Sequence, residues 1–143
     1  MFNLLVKEVM ERKKALSLPP ETSVAKAAQM MAKKNVGAVM VVEQERLVGI
    51  FTERDALFRV IARGLDPVNA RLAEVMTPDP RTVAPRQTYG YALVLMQENG
   101  FRHAPVIDDG KPIGMVSSRN AMDPDLEEFV SETSRRQYIR AGH

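Results

Sequence analysis

Apolar and polar residues alternate along this chain in two long blocks that repeat each other in order. In the first, Ser17-Leu18 is a short extended piece broken by Pro19-Pro20. Thr22 or Ser23 then caps a helix whose apolar positions Val24, Ala27, Ala28 and Met31 follow the i, i+3, i+4, i+7 rule. Gly37 to Val42 is a continuous, valine-rich run, the pattern of a buried strand. A polar turn, Glu43 to Arg46, leads into a second strand, Leu47 to Phe51, and the two predict a hairpin. From Glu53 the period is helical again, with Ala56, Leu57, Val60 and Ile61 on one face, and Gly64 ends it. Asp66-Pro67 predicts a renewed helix carrying Val68, Leu72, Val75 and Met76 into a turn at Thr77-Pro78-Asp79-Pro80.

The second block repeats this order. Thr82-Val83 is extended, a helix starts at Thr88 with Ala92, Leu93 and Met96 inward, and His103–Ile107 with Pro112–Val116 form a hairpin. A helix is expected from Ser118, and Asp123-Pro124 begins a last one with Leu126, Phe129 and Val130 as its stripe. At a constant shift Ser17-Leu18 matches Thr82-Val83, Ala27 matches Ala92, Met31 matches Met96 and Val41-Val42 matches Val106-Ile107. Glu8-Val9-Met10 matches Glu74-Val75-Met76 with the shift longer by one residue. A repeat filling nearly the whole chain predicts two similar half-sites facing each other. Neither half can be stable alone, because a small sheet with one apolar face must pack on something. The expected fold is therefore α/β (α+β): two pseudo-twofold-related repeats, each β-α-β-β-α, with a small sheet packed on two helices. Taken in chain order, the division is 1–66 for the first repeat with a lead-in helix, 67–123 for the second with a connecting helix, and 124–143 for a C-terminal helix and basic tail.

Composition narrows the function classes. At 143 residues the chain is long enough to bury a sizeable core, and its zero cysteines exclude disulfides and thiolate metal sites. The apolar start Met1–Val6 is too short for a signal peptide, and the run from Val36 to Val42 is far below the roughly 20 residues of a membrane span. A soluble, cytoplasmic protein is expected, with no membrane partner. Twenty basic and 18 acidic residues leave a formal charge of only +2, and aromatics make up 6%, so a nucleic-acid partner is not indicated. Arg135, Arg136 and Arg140 cluster in the tail, as a solvated helix end or as a basic contact to a partner or a phosphate. His103 and His143 are the only histidines, and no nucleophile–base pair or metal-ligand spacing accompanies them. We expect no catalytic residues, no metal and no enzyme activity.

The candidate chemistry lies where each hairpin meets its helix. Thr52-Glu53-Arg54-Asp55 has the form of a capping box, which a hydroxyl and an acid three residues apart build at any helix start. The second block keeps the hydroxyl, Ser117, and Arg119 but offers Asn120, a poor capping-box partner; both blocks keep a glycine, Gly49 or Gly114, three residues before the hydroxyl. A helix start with free N–H groups suits a phosphate, Thr52 or Ser117 adds a donor, and Arg54 or Arg119 adds charge. A carboxylate at Asp55 can accept from both hydroxyls of a ribose. A second constellation, Gly100 to Val106, faces Asn35 to Val41. Small Gly37, Ala38 and Ala104 allow a flat ring close to the backbone, Pro105 removes a strand N–H, and Arg102 and His103 can reach a phosphate. His103 alone also reads as a partly buried structural imidazole.

These features together, with the lead-in Val75-Met76-Thr77-Pro78 and Phe101-Arg102-His103-Ala104-Pro105-Val106, resemble a tandem pair of CBS domains over about residues 5 to 123. The resemblance is to stand-alone, bacterial-type members of the family, whose paired domains form a Bateman module. It implies an adenosine-containing ligand (AMP, ADP or ATP foremost, with NAD or S-adenosylmethionine as further possibilities) in clefts between repeats, no obligatory cofactor, and a homodimeric disc of four repeats. By the resemblance Thr52, Arg54 and Asp55 hold phosphate and ribose, with Ser117, Arg119 and Asn120 as their second version. Ser17 and Thr82 line the sites, while Val36, Gly37, Ala38, Arg102, His103 and Ala104 supply strand beginnings facing the base or phosphate. The expected function is regulatory nucleotide binding that signals to an unidentified effector protein; the alternative is a ligand-free scaffold acting through its C-terminal helix. The exchange of acid for amide at Asn120 predicts unequal sites, with the Asp55 site the tighter.

Overall fold

The computed structural model describes residues 2–11 and 15–121. Its elements run in chain order α1 (Val6–Val9), β1 (Ser17–Leu18), α2 (Val24–Lys34), β2 (Ala38–Glu43), β3 (Arg46–Thr52) and α3 (Glu53–Asp55), continued by a π-helical stretch Ala56–Ile61. Then follow α4 (Leu72–Val75), β4 (Thr77–Pro78), α5 (Tyr89–Asn99), β5 (His103–Asp108), β6 (Lys111–Ser117) and a 3₁₀ turn, Ser118–Ala121. The fold is mixed α/β, with helices packed on two small sheets.

The repetition extends to single hydrogen bonds. In the first hairpin Ala38 pairs with Thr52 and the register slips between Val41 and Val42; in the second, His103 pairs with Ser117 and the slip falls between Val106 and Ile107, the matching residues. Ser23 caps α2 by accepting from the Lys26 N–H, and Thr88 caps α5 by accepting from the Tyr91 N–H, each at 3.2 Å. Strand β1 pairs parallel with β2, but its counterpart in the second repeat is a single bridge, Val83 to Val106. Proline explains the difference. The Met40 N–H donates to the Leu16 carbonyl at 2.8 Å, and Pro105, which occupies Met40's place, has no N–H to give.

The lead-in segments are exchanged between repeats. Helix α1 precedes the first repeat, yet Val6 and Met10 are buried with Val83, Tyr89, Ala92, Met96 and Val116 of the second. Helix α4 precedes the second repeat, yet Leu72 and Val75 are buried with Val24, Met31, Val39, Phe51 and Val60 of the first. The backbone repeats the exchange symmetrically. Val6 and Lys7 donate to the carbonyls of Gln87 and Pro85, and Leu72 and Ala73 donate to those of Thr22 and Pro20. Strand β4 covers the edge of β3, and Glu11 bridges Met115 in the same way. A third cluster, Ala38, Met40, Ile50 and Met115, joins the two sheets.

Three sequence expectations change. The helix expected from Asp66-Pro67 is only a turn before α4. Asp66 Oδ1 accepts from the Val68 N–H and its Oδ2 from the Asn69 amide, while the carbonyls of Pro67 and Ala70 accept from Ala25 and Val24 at the start of α2. Carbonyls engaged in that way cannot propagate a helix. Thr77-Pro78, expected as a turn, is strand β4. On the helix after Glu53, Val60 is buried as expected, but Leu57 and Ile61 are exposed. The π-helical i→i+5 spacing, seen in Ala62 N–H to Leu57 O, turns them off the face that a 3.6-residue period assigns. The expected C-terminal helix lies outside the described residues.

Candidate functional site

The side chain of Asp55 is held from both ends. Thr52 leaves β3 in an extended conformation (φ −117°, ψ 166°), and its hydroxyl accepts from the Asp55 N–H at 3.2 Å. Asp55 Oδ2 accepts in return from the Thr52 N–H at 2.9 Å and from the Thr52 hydroxyl at 3.2 Å. The capping box is thus formed. Asp55 Oδ1 lies 3.5 Å from Arg59 Nε, and the residue is 8% exposed. Arg54, two residues beyond Thr52, lies over the Phe58 ring at 4.9 Å from its centre, a cation–π contact that steadies the guanidinium at the surface.

Across from this turn the second repeat presents the end of α5 and the start of β5. Helix α5 stops at Gly100, whose φ of 72° is left-handed and suits glycine, and the chain turns through Phe101 and Arg102 into His103. Between the two surfaces is a cleft of about 800 Å³. Its wall includes Thr52, Glu53, Arg54, Asp55, Phe58 and Arg59 from the first repeat, Arg102 and His103 from the second, and Asp79, Pro80 and Arg81 from the segment that joins them. The Asp55–Arg59 pair is internally neutral. Arg54, Arg81 and Arg102 then outnumber Glu53 and Asp79, which favours an anionic guest.

Burial lowers the pKa of His103, and Arg102 adds to the effect; Glu53 opposes both without reversing them. The unfolded chain, with an ordinary histidine near 6.5, therefore takes up its proton at higher pH than the folded chain does. This contribution to stability is complete above about pH 6.5 and declines as the pH falls through the folded value. Denaturant midpoints of the protein and of His103→Asn, compared at pH 7.5 and 5.5, should show the smaller acid loss in the variant. An equal loss removes His103 from the account.

The cleft joins five of the residues singled out from the sequence: Thr52, Arg54, Asp55, Arg102 and His103. Others lie elsewhere. Ala38 is in the cluster between sheets, Ala104 is in the core of the second repeat, Pro105 is fully buried, and Val36 packs on the first core. Gly37 sits under the Glu53 side chain, where a Cβ would come within 3.1 Å of Oε1. Ser17 is exposed on β1 beside Met40. Thr82 lines a separate groove of about 670 Å³ between the hairpin turns, with Asp79 and Pro80. The Ser117 carbonyl accepts from the buried Tyr89 hydroxyl at 2.6 Å, and Arg119 is exposed in the 3₁₀ turn. The Asn120 side chain lies outside the described residues.

The shared glycines have a packing role. A Cβ on Gly49 would meet the Met76 side chain and lie 3.0 Å from the Thr77 carbonyl; on Gly114 it would lie 2.8 Å from the Glu11 carbonyl and 3.1 Å from Met10 Sδ. They make room for the exchanged lead-ins. Asp79, Pro80, Arg81, Phe58 and Arg59 are among the wall residues that sequence reasoning missed. The extra residue in the shift between Glu8–Met10 and Glu74–Met76 was the available signal that the joining segment departs from the strict repeat. Among the described residues no group of three or more His, Cys, Asp or Glu could hold a metal ion, and no helix is long and apolar enough to cross a membrane.

A family model of the CBS domain matches this chain twice, at residues 6–62 and 72–124. The chain belongs to the CBS domain family. Among CBS relatives, the mitochondrial CBS domain-containing protein CBSX3 of Arabidopsis thaliana is 36% identical over 129 residues, covering 86% of this chain and 63% of that protein. The chain thus spans less than two thirds of that CBS relative. Among solved structures, an uncharacterized conserved protein from Pyrococcus horikoshii matches with a TM-score of 0.79 at 28% identity, over 87% of this chain and 94% of that one. A CBS domain protein from Pyrobaculum aerophilum, solved in complex with AMP, matches with a TM-score of 0.74 at 26% identity, over 82% and 89% respectively. CBS pairs are generally regulatory modules rather than enzymes, and the two matched segments coincide with the internal repeat.

Proposed function

We propose that this CBS pair is a regulatory module that binds an adenine nucleotide (AMP, ADP or ATP) in the cleft between Thr52–Asp55 and Arg102–His103, and passes the resulting change to a partner protein in the cytoplasm. The observation that carries this reading is the meeting of a helix start, a buried carboxylate and a net positive wall, Arg54, Arg81 and Arg102 against Glu53 and Asp79, in one cleft. Phosphate sits by Thr52, Arg54, Arg102 and His103, with Arg81 adding charge, and the ribose draws on Asp55. Ser117, Arg119 and Asn120 form the second, weaker site, with Val36–Ala38 opposite and Ser17 and Thr82 at the margins of the two. The AMP complex of the Pyrobaculum aerophilum protein supports the ligand class. Large apolar side chains exposed on the helical faces, Leu57, Phe58 and Ile61 on one and Tyr91 and Val94 on the other, support a homodimer.

A ligand-free scaffold has one observation in its favour: Thr52 and Arg59 already occupy both oxygens of Asp55. Calorimetric titration with AMP, ADP, ATP, NAD and S-adenosylmethionine separates the two readings. Micromolar-range binding of an adenine nucleotide, weakened by Asp55→Ala, is the expected result. The absence of heat with all five, in folded protein free of carried-over nucleotide, favours the scaffold.

A further inference from the structure

Arg59 touches both the cleft and the segment that joins the repeats. Its Nε lies 3.5 Å from Asp55 Oδ1, one helical turn back. Its Nη1 donates to the Met76 carbonyl at 3.0 Å and to that of Val75 at 3.4 Å, at the end of α4. A planar guanidinium can serve a carboxylate with one edge and carbonyls with another; a lysine ammonium, as a single point charge, suits one or the other. Thr52 holds Asp55 Oδ2, so Arg59 completes the fixing of this carboxylate. The chain carries its own comparison. In the second repeat Asp55 corresponds to Asn120 and Arg59 to Pro124, so acid and guanidinium are absent together.

We propose that Arg59 is a positioning residue that links Asp55 to the joining segment, so that a ligand drawing on the Asp55 carboxylate changes how firmly Val75–Asp79 is held to the first repeat. This rests on the nucleotide reading above. A ribose hydroxyl donating to Oδ1 shares that oxygen with Arg59 Nε. The guanidinium then redistributes toward or away from the Met76 carbonyl, just ahead of β4 and of the Asp79–Arg81 stretch that enters the second repeat. A ligand shifts a conformational balance only through contacts that differ between its two states, and this shared oxygen is such a contact.

The test uses the whole chain with Arg59→Met, Arg59→Lys, Asp55→Asn and the double variant Asp55→Asn/Arg59→Met. AMP and ATP are titrated calorimetrically, and amide exchange is followed with and without AMP. Arg59→Met should weaken AMP binding by roughly threefold to thirtyfold, whereas adding it to Asp55→Asn should cost nothing further, because it acts through the carboxylate. AMP should alter exchange at the Met76 and Asp79 amides, which donate to Leu72 and Val48, and should leave them unaltered in Arg59→Met. Arg59→Lys should recover affinity without the exchange response. Additive losses in the double variant, or an undiminished response in Arg59→Met, overturn the link. Should the unsubstituted chain bind neither AMP nor ATP, the nucleotide reading fails by itself. Exchange without ligand then decides the link: faster Met76 and Asp79 amides in Arg59→Met support it, and unchanged rates overturn it.

Discussion

Replacing Asp55 with asparagine should weaken adenine-nucleotide binding by about 3- to 30-fold and leave a folded protein. The figure follows from exchanging a charged acceptor, whose hydrogen bonds contribute about 1.5–3 kcal/mol, for a neutral one near 1 kcal/mol, with 1.4 kcal/mol corresponding to a factor of ten. Asparagine keeps an oxygen for the Thr52 N–H. The variant still loses the ionic partner of Arg59, and a stability cost of about 1 kcal/mol accompanies the weakened cap. Circular dichroism separates that cost from lost affinity. The same substitution gives the first repeat the residue that the second repeat already carries at Asn120, so the two sites should become more alike. Alanine at position 120 should therefore cost much less affinity than alanine at position 55. Equal losses from Asp55→Ala and Asn120→Ala would sink the inequality of the sites.

Leu72→Ala should be the most disruptive of the lead-in substitutions, and its damage should appear in the repeat that sequence order does not assign to it. Leu72 is fully buried against Val24, Val39 and Phe51. Truncating a buried leucine costs about 2–5 kcal/mol, which for a chain of this size lowers the melting temperature by roughly 10 °C. Amide exchange supplies the location. Protection should fall first over Val39–Phe51 and the α2 amides, with β5 and β6 less affected, whereas Val6→Ala should reverse the pattern with a smaller loss. Damage confined to residues 89–116 in Leu72→Ala would refute the exchanged packing.

How far the fold could be read beforehand depends on how local its causes are. The hairpins were legible because valine-rich runs flank polar turns, and the repeat carried the reading from one half to the other; even the register slips fall at matched residues. Ser23 and Thr88 were legible as caps because a cap needs only its own next turn. Expectations failed where a distant backbone intervened. The carbonyls of Pro67 and Ala70 serve α2 instead of a helix of their own, and no local pattern announces that. The Leu57 and Ile61 face was misplaced because hydrophobic period cannot distinguish an α turn from a π turn.

The cleft divides in the same way. Thr52, Arg54, Asp55, Arg102 and His103 were found because helix starts and strand beginnings carry recognisable chemistry. Arg81 and Asp79 were missed because the joining segment reads as an ordinary proline turn until the two repeats are set face to face. Ala38, Ala104 and Pro105, whose small or rigid side chains suit a close approach of a ring to the backbone, have those side chains buried.

The crossed lead-ins also set an order of completion during synthesis. The first repeat gains its α4 and β4 once residue 78 has emerged, whereas α1, which precedes both repeats, has no seat until Tyr89, Val106 and Val116 exist. At about 5–20 residues per second, Val6 and Met10 wait roughly 5–20 s for strand β6. Among the described elements α1 is made before the others and seated after them, because its place beside Gly114 exists only once β6 does.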